Sequence, residues 1–176
     1  MAKAFYPFSL QYHNRDAGTS APPTRRIPIG AASPVISRGD PVQCEGGVAA
    51  AYVPGEGIFG IANFTFHAYD AAAGQKDGDP AANFGLTNPV NGETVAYRVQ
   101  ARNMDSQVAA PVLQTVLGNA YNLAGLTGVM YLDVSAPGTD FLVIDIEQTE
   151  SAWGDLYPIL IVQCVNPQFE DPSLPV

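Results

Sequence analysis

The residues that could carry chemistry are few and scattered. Two histidines, His13 and His67, and two cysteines, Cys44 and Cys164, are the only ones of their kind in 176 residues. Nucleophilic catalysis needs a Ser or Cys beside a His that a third group orients. No such spacing is visible, and the Gly-x-Ser-x-Gly turn that often presents a serine is missing. Zinc calls for clustered Cys and His, whereas these four lie far apart. Asp77-Gly78-Asp79 begins like a calcium loop but lacks the remaining ligands and the closing Glu. Gly55-Glu56-Gly57-Ile58-Phe59-Gly60 has the outline of a phosphate-binding loop, yet no basic residue or helix follows it. Asp145 and Glu147 alternate on one strand face and read as solvent-facing. Arg38-Gly39-Asp40 spells a cell-adhesion tripeptide, but Pro41 and the flanking strands give Gly39-Asp40 a plain turn role. No catalytic residue, metal ligand or cofactor site is expected, and an enzyme is the least favoured class.

The elements that would position any site are strands. Seventeen Gly and fifteen Pro leave little room for long helices. From Val35 onward, β-branched and aromatic runs are punctuated by Gly and Pro every 8 to 12 residues, the pattern of an all-β barrel or sandwich. VISRGDPVQCE turns at Gly39-Asp40, and GGVAAAYV follows it. Pro54-Gly55-Glu56-Gly57 is a second turn, and IFGIANFTFHAY leads on from there. Residues 70–92 read as a long polar loop. In ETVAYRVQAR, Thr94, Ala96, Arg98 and Gln100 share one face, and Val95, Tyr97, Val99 and Ala101 the other. QVAAPVLQTVLGNAYNLAG reads as irregular, with a short helix opened by Pro111 and closed by Gly118, or loop and strand, as the alternatives. GVMYLDV, FLVIDIEQ and PILIVQCV are the clearest strands, and the last two should be covered on both faces. Cys44 and Cys164 both follow Val-Gln in such runs. Buried thiols are the first reading, with a disulfide between first and last strands as the alternative.

Charge divides the chain. Five of the eight Lys and Arg residues lie in the first 38 positions against one acid, while the other 138 residues set three cations against sixteen acids. Residues 1–34 thus read as an extended basic arm rich in Pro and aromatics, 35–167 as the body, and 168–176 as an acidic, proline-rich, solvated tail. The aromatics favour an arm that docks over one that is merely disordered. An acidic body argues against nucleic acid as the main partner. No apolar run approaches the ~20 residues of a membrane span. The N-terminal stretch lacks the continuous apolar core of a signal peptide and reads as made in a cytoplasm.

With chemistry set aside, the order of turns and strands carries the most information. SRGDPVQCEGGVAAAYVPGEGIFGIA resembles the first part of tailed-bacteriophage capsid decoration (cement) proteins. VLGNAYNLAG, GVMYLDV, TDFLVIDIE and YPILIVQCVNP, in that order, are similar to that family's second half. The resemblance spans roughly residues 35–167. It implies a structural virion protein on the capsid exterior, often a homotrimer, that bridges neighbouring major capsid proteins. Tyr6, Phe8 and Tyr12 would then be anchors, and Arg15, Arg25 and Arg26 would make charge-assisted contacts to acidic capsid surfaces. The alternatives are another virion component, such as a head-fibre base or tail protein, and a carbohydrate or host-surface module. The last would want aromatic platforms, and the only tryptophan, Trp153, reads as a packing residue.

Overall fold

The computed structural model describes residues 4–13, 25–29, 35–63, 65–66, 84–89, 95–105 and 108–168. The strands in chain order are β1 (Gln11–His13), β2 (Arg25–Pro28), β3 (Pro41–Glu45), β4 (Val48–Ala51), β5 (Gly60–Ala62), β6 (Phe84–Pro89), β7 (Ala96–Asp105), β8 (Val108–Ala110), β9 (Ala120–Ala124), β10 (Tyr131–Asp133), β11 (Phe141–Ile146) and β12 (Ile159–Cys164). A single 3₁₀ turn over Gln114–Val116 is the helical content among the described residues. The fold is all-β.

Five strands close into a ring. β7 pairs antiparallel with β12, from Ala96 opposite Gln163 to Gln100 opposite Ile159. Further along, β7 pairs parallel with β10 at Ala101 and Arg102. β10 pairs with β9, β9 with β11, and β11 with β12, which completes the circuit. β1 and β8 add to β7 outside this ring. One face of each strand fills the interior: Tyr97, Val99 and Ala101 from β7, Tyr121 and Leu123 from β9, Leu132 from β10, and Leu160, Val162 and Cys164 from β12. This is the period of two that a pleated strand imposes. β11 breaks the count. Phe141 and Val143 point inward, then a bulge between Val143 and Asp145 resets the phase so that Ile146 is inward. The bulge keeps Asp145 on the exposed side.

The second layer is an antiparallel sheet in the order β2-β6-β5-β3-β4. It curls until Cα atoms of its edge strands β2 and β4 come within 8 Å of each other. Ile27, Val42, Ala49 and Ala62 pack a second core inside this curl, and the Ile36–Phe66 bridge supplies two further members. β5 joins the layers. Ile61 belongs to the barrel core, and its neighbour Ala62, on the opposite face, belongs to the second core.

Several expectations change. The 70–92 segment is not all loop, because β6 runs through Phe84–Pro89 between β2 and β5. The stretch after Val108 is more regular than expected, with β8, the 3₁₀ turn and β9 in succession. Both faces of β7 are covered along Ala96–Gln100, with Arg98 half-buried. Ala96 and Gln100 are buried, and the Gln100 side-chain amide donates to the carbonyls of Ala4 and Tyr157. Glu147 is not a free surface acid, since it ion-pairs with Arg98 at 3.5 Å. The described parts of residues 1–34 are built into the sheets. β1 pairs with β7 and β2 with β6, Leu10 sits in the barrel core, and Ile27 sits in the second core. Strands of three or four residues are too short to show a period, so these pairings are invisible locally. At the other end, Gln168 is not solvated tail. Its side-chain amide accepts from Cys44 N–H at 2.7 Å and donates to Cys44 C=O at 2.6 Å, as a strand neighbour would. Residues 169–176 lie outside the described residues.

Cys44 and Cys164 are not bonded to each other. Cys164 is buried in the barrel core and Cys44 is half-buried against the second core, so the disulfide alternative falls. Trp153 packs against the barrel core, as its turn-like context suggested.

Candidate interaction surface

The Arg38-Gly39-Asp40 turn organises the most distinctive surface. Asp40 is buried, and its carboxylate accepts from Ser9 Oγ at 2.5 Å, Ser37 N–H at 2.9 Å and Gly128 N–H at 2.9 Å. One carboxylate therefore ties together the N-terminal segment, the turn before β3 and the loop between β9 and β10. Gly39 is required for this. Its φ is +88°, and a Cβ there would lie 2.6 Å from the Leu10 carbonyl oxygen. An adhesion role for the tripeptide has no support in this geometry, because the Asp40 carboxylate faces inward.

A cavity of about 610 Å³ opens beside this clasp. Phe8, Leu10 and Tyr12 line it from the N-terminal segment, and Arg38, Ile61 and Asn63 from the second layer. Tyr97 of the barrel also lines it. The Tyr97 hydroxyl is buried without a hydrogen-bond partner. Burial holds this phenol neutral well above the usual tyrosine range, with Cys164 and Tyr12 adding to the effect. The exposed Arg38 guanidinium has no partner among the described residues. The other two described arginines of the body are engaged. Arg98 bridges Glu147 and Glu150, and Arg102 lies over the rings of Phe5 and Tyr131.

The segments that Asp40 ties together also carry exposed apolar side chains. Tyr6 and Leu126 are each 77% exposed, and Val35 and Val129 nearly half. Tyr6 is held outward by its neighbour. Phe5 packs edge-on against Tyr131 at 5.3 Å and beside Tyr157 at 4.9 Å, which fixes the backbone and leaves the next side chain on the opposite face. These four side chains are thus exposed on segments that the Asp40 contacts hold in place.

The six residues singled out in the sequence are distributed unevenly. Tyr6 is exposed, while Phe8 and Tyr12 are half-buried in the lining of the cavity. Arg26 is an exposed residue of β2, which belongs to the other layer. Arg15 and the side chain of Arg25 lie outside the described residues. Sequence reasoning missed Arg38, Asn63, Tyr97, Leu126 and Val129. Leu126 had a signal, since a leucine between Gly125 and Gly128 in a tight turn has little to pack against. Arg38 was visible only as part of the tripeptide.

Among the described residues, no three His, Cys, Asp or Glu side chains gather where one cation could be held. No helix among them is long and apolar enough to cross a membrane. Comparison with family models, with curated proteins and with solved structures finds no match to this chain in any of the three.

Proposed function

We propose that this chain is a capsid decoration protein of a tailed bacteriophage, which binds the outer surface of the capsid lattice and stabilises it by bridging major capsid proteins. The observation that carries the reading is the set of exposed apolar residues, Tyr6, Val35, Leu126 and Val129, on segments fastened to one buried carboxylate. A lattice clamp needs such a surface to be held rigid before contact, so that little freedom is lost on binding. The ordered resemblance of residues 35–167 to the decoration family supports the same role. On a lattice, modest contacts repeated by each copy of a homotrimer add through effective concentration. The acidic remainder of the body would face water and keep decorated particles apart.

The test is to mix purified protein with expanded capsids that lack it and count bound copies by electron cryo-microscopy. Wild-type protein should occupy regular lattice positions, and a Tyr6→Ser/Leu126→Ser double variant should lose most of that occupancy while remaining folded. Light scattering on free and bound protein would report the trimer. Absence of wild-type protein from the capsids would overturn the proposal.

A further inference from the structure

We infer that the face built from the β7–β8 hairpin and the 3₁₀ turn is where one copy of this chain binds another. The inference rests on the decoration reading only for the number of copies, three.

Charge singles this face out. From Asn103 to Leu132 the chain carries a single charged residue, Asp105, although charged residues make up 14% of the whole. Three large apolar side chains of this stretch stand in water: Val108 is 69% exposed, Leu113 55% and Leu117 42%. Val108 opens β8, and Leu113 and Leu117 flank the 3₁₀ turn. Between hairpin and turn runs a groove of about 400 Å³, lined by Met104, Ala110, Pro111 and Leu113. Two acids that adjoin it are engaged. Asp133 accepts from Ser135 N–H at 3.0 Å, and Asp155 accepts from Ala152 N–H at 2.9 Å.

β8 adds an open edge. It pairs with β7 and with no other strand among the described residues. Exposed edges are usually blunted by a charge or a proline in the strand. Val108-Ala109-Ala110 has neither, so its outer side can take a strand from a neighbour.

A second copy is the occupant this chemistry favours. Each copy carries a net charge of −9, so two copies repel wherever acids face one another and meet at least cost where neither has a charge. A basic partner would be drawn to the acidic faces instead. A nucleic acid would find no cation between Asn103 and Leu132, and a glycan no aromatic ring between Asn103 and Asn119. Contacts between identical subunits are the more apolar ones, with charge depleted at their centre. The face also complements itself, because it carries both an apolar groove and exposed aliphatic side chains to fill one.

The test is light scattering on the full chain over a range of protein and salt concentrations. Wild type should approach the trimer mass as concentration rises. Salt should strengthen the association, because it screens repulsion between acidic bodies and spares apolar contact. A Val108→Glu/Leu113→Glu double variant should associate about a hundredfold more weakly, as burying unpaired carboxylates implies. Its circular dichroism should match wild type, since both side chains are exposed. Val53→Glu, exposed just after β4, should associate like wild type. Wild type that stays monomeric at every concentration and salt would overturn the inference. So would association that salt dissolves, or that the double variant leaves intact. Loss of capsid occupancy by the double variant, with wild type monomeric throughout, would hand the face to the capsid protein and overturn it too. The capsid experiment keeps the two proposals apart. Self-association through this face by a protein that never decorates capsids would sink the decoration role alone. Decoration by wild type that is monomeric in solution and on particles would sink this inference alone.

Discussion

The phenol of Tyr52 donates a 2.5 Å hydrogen bond to the carboxylate of Asp140, 88 residues further along the chain. The same oxygen accepts from Leu123 N–H at 3.2 Å. Asp140 is fully buried and also accepts from Gly55 N–H at 2.9 Å, Asn166 Nδ2 at 2.9 Å and Thr139 Oγ1 at 3.2 Å. Tyr52 and Gly55 follow β4 in the second layer, while Leu123, Thr139 and Asn166 lie in or beside barrel strands. One carboxylate thus fastens the two layers. Asp140→Ala leaves several buried donors unmet and should cost roughly 3 kcal/mol, read from urea unfolding. Asp140→Asn keeps the shape and one acceptor oxygen and should cost less.

Alkaline pH should weaken this junction. Burial raises the Tyr52 phenol far above its usual range, and the hydrogen bond to Asp140 and its charge raise it further. Unfolded tyrosines ionise near ~10, whereas folded Tyr52 keeps its proton. Its contribution to stability is therefore complete below about pH 10 and shrinks as pH climbs beyond that. Tyr97 acts in the same direction, because burial raises it as well. Unfolding curves across alkaline pH should show the decline, and Tyr52→Phe should flatten it. A stability that rises with pH in that window would contradict the assignment.

Neighbours in one tripeptide should behave oppositely. Asp40→Ala strips Ser9, Ser37 and Gly128 of a shared acceptor and should cost roughly 2–3 kcal/mol. Gly39→Ala should cost a similar amount, since it meets both a positive φ and the Leu10 carbonyl. Arg38→Ala, two residues from Asp40 and exposed, should stay within about 0.5 kcal/mol. Thermal melts of the three variants would check the ranking.

Gln168 should matter for stability despite its place near the chain's end. Gln168→Ala removes both hydrogen bonds to the Cys44 backbone and should cost about 1–2 kcal/mol. Gly57→Ala should do comparable damage, because its Cβ would sit 2.8 Å from the Gln168 Cα. A double-mutant cycle should find the two effects coupled rather than additive.

Removing residues 1–30 should unfold the protein rather than trim it, since the cut takes away β1, β2, Leu10 and Ile27. Tyr6→Ser should leave the unfolding midpoint within the equivalent of about 0.5 kcal/mol, because its ring is in water. Circular dichroism of both variants would separate fold from surface.

The contrast between strands shows what a sequence makes legible. β11 and β12 were plain because FLVIDI and ILIVQC combine β-branched residues with near-continuous apolarity. The alternation of β7 was visible too, but not that its polar side would be covered. β6 was hidden because Gly85, Asn88 and Pro89 are weak strand formers, and its state comes from lying between β2 and β5. The bulge in β11 leaves no mark in composition. Nothing in SAPGTDF marks Asp140 as buried, since the groups that bury it come from distant parts of the chain. At the candidate surface, the aromatics at 6, 8 and 12 stood out by density. Arg38 and Tyr97 gained meaning only once β1 was laid against β7.

The closed ring also dictates a timetable. β7 is flanked by β1, from far upstream, and by β12, from far downstream. A growing chain cannot finish the ring until Ile159–Cys164 has been synthesised. Pairings between segments so far apart pay their loop-closure entropy before any contact rewards it, so folding should be slow and all-or-none. Until β12 arrives, one side of β7 is an open template for strands of other chains. The interval between translation and closure, rather than the life of the finished fold, is when this protein is most exposed to misassembly.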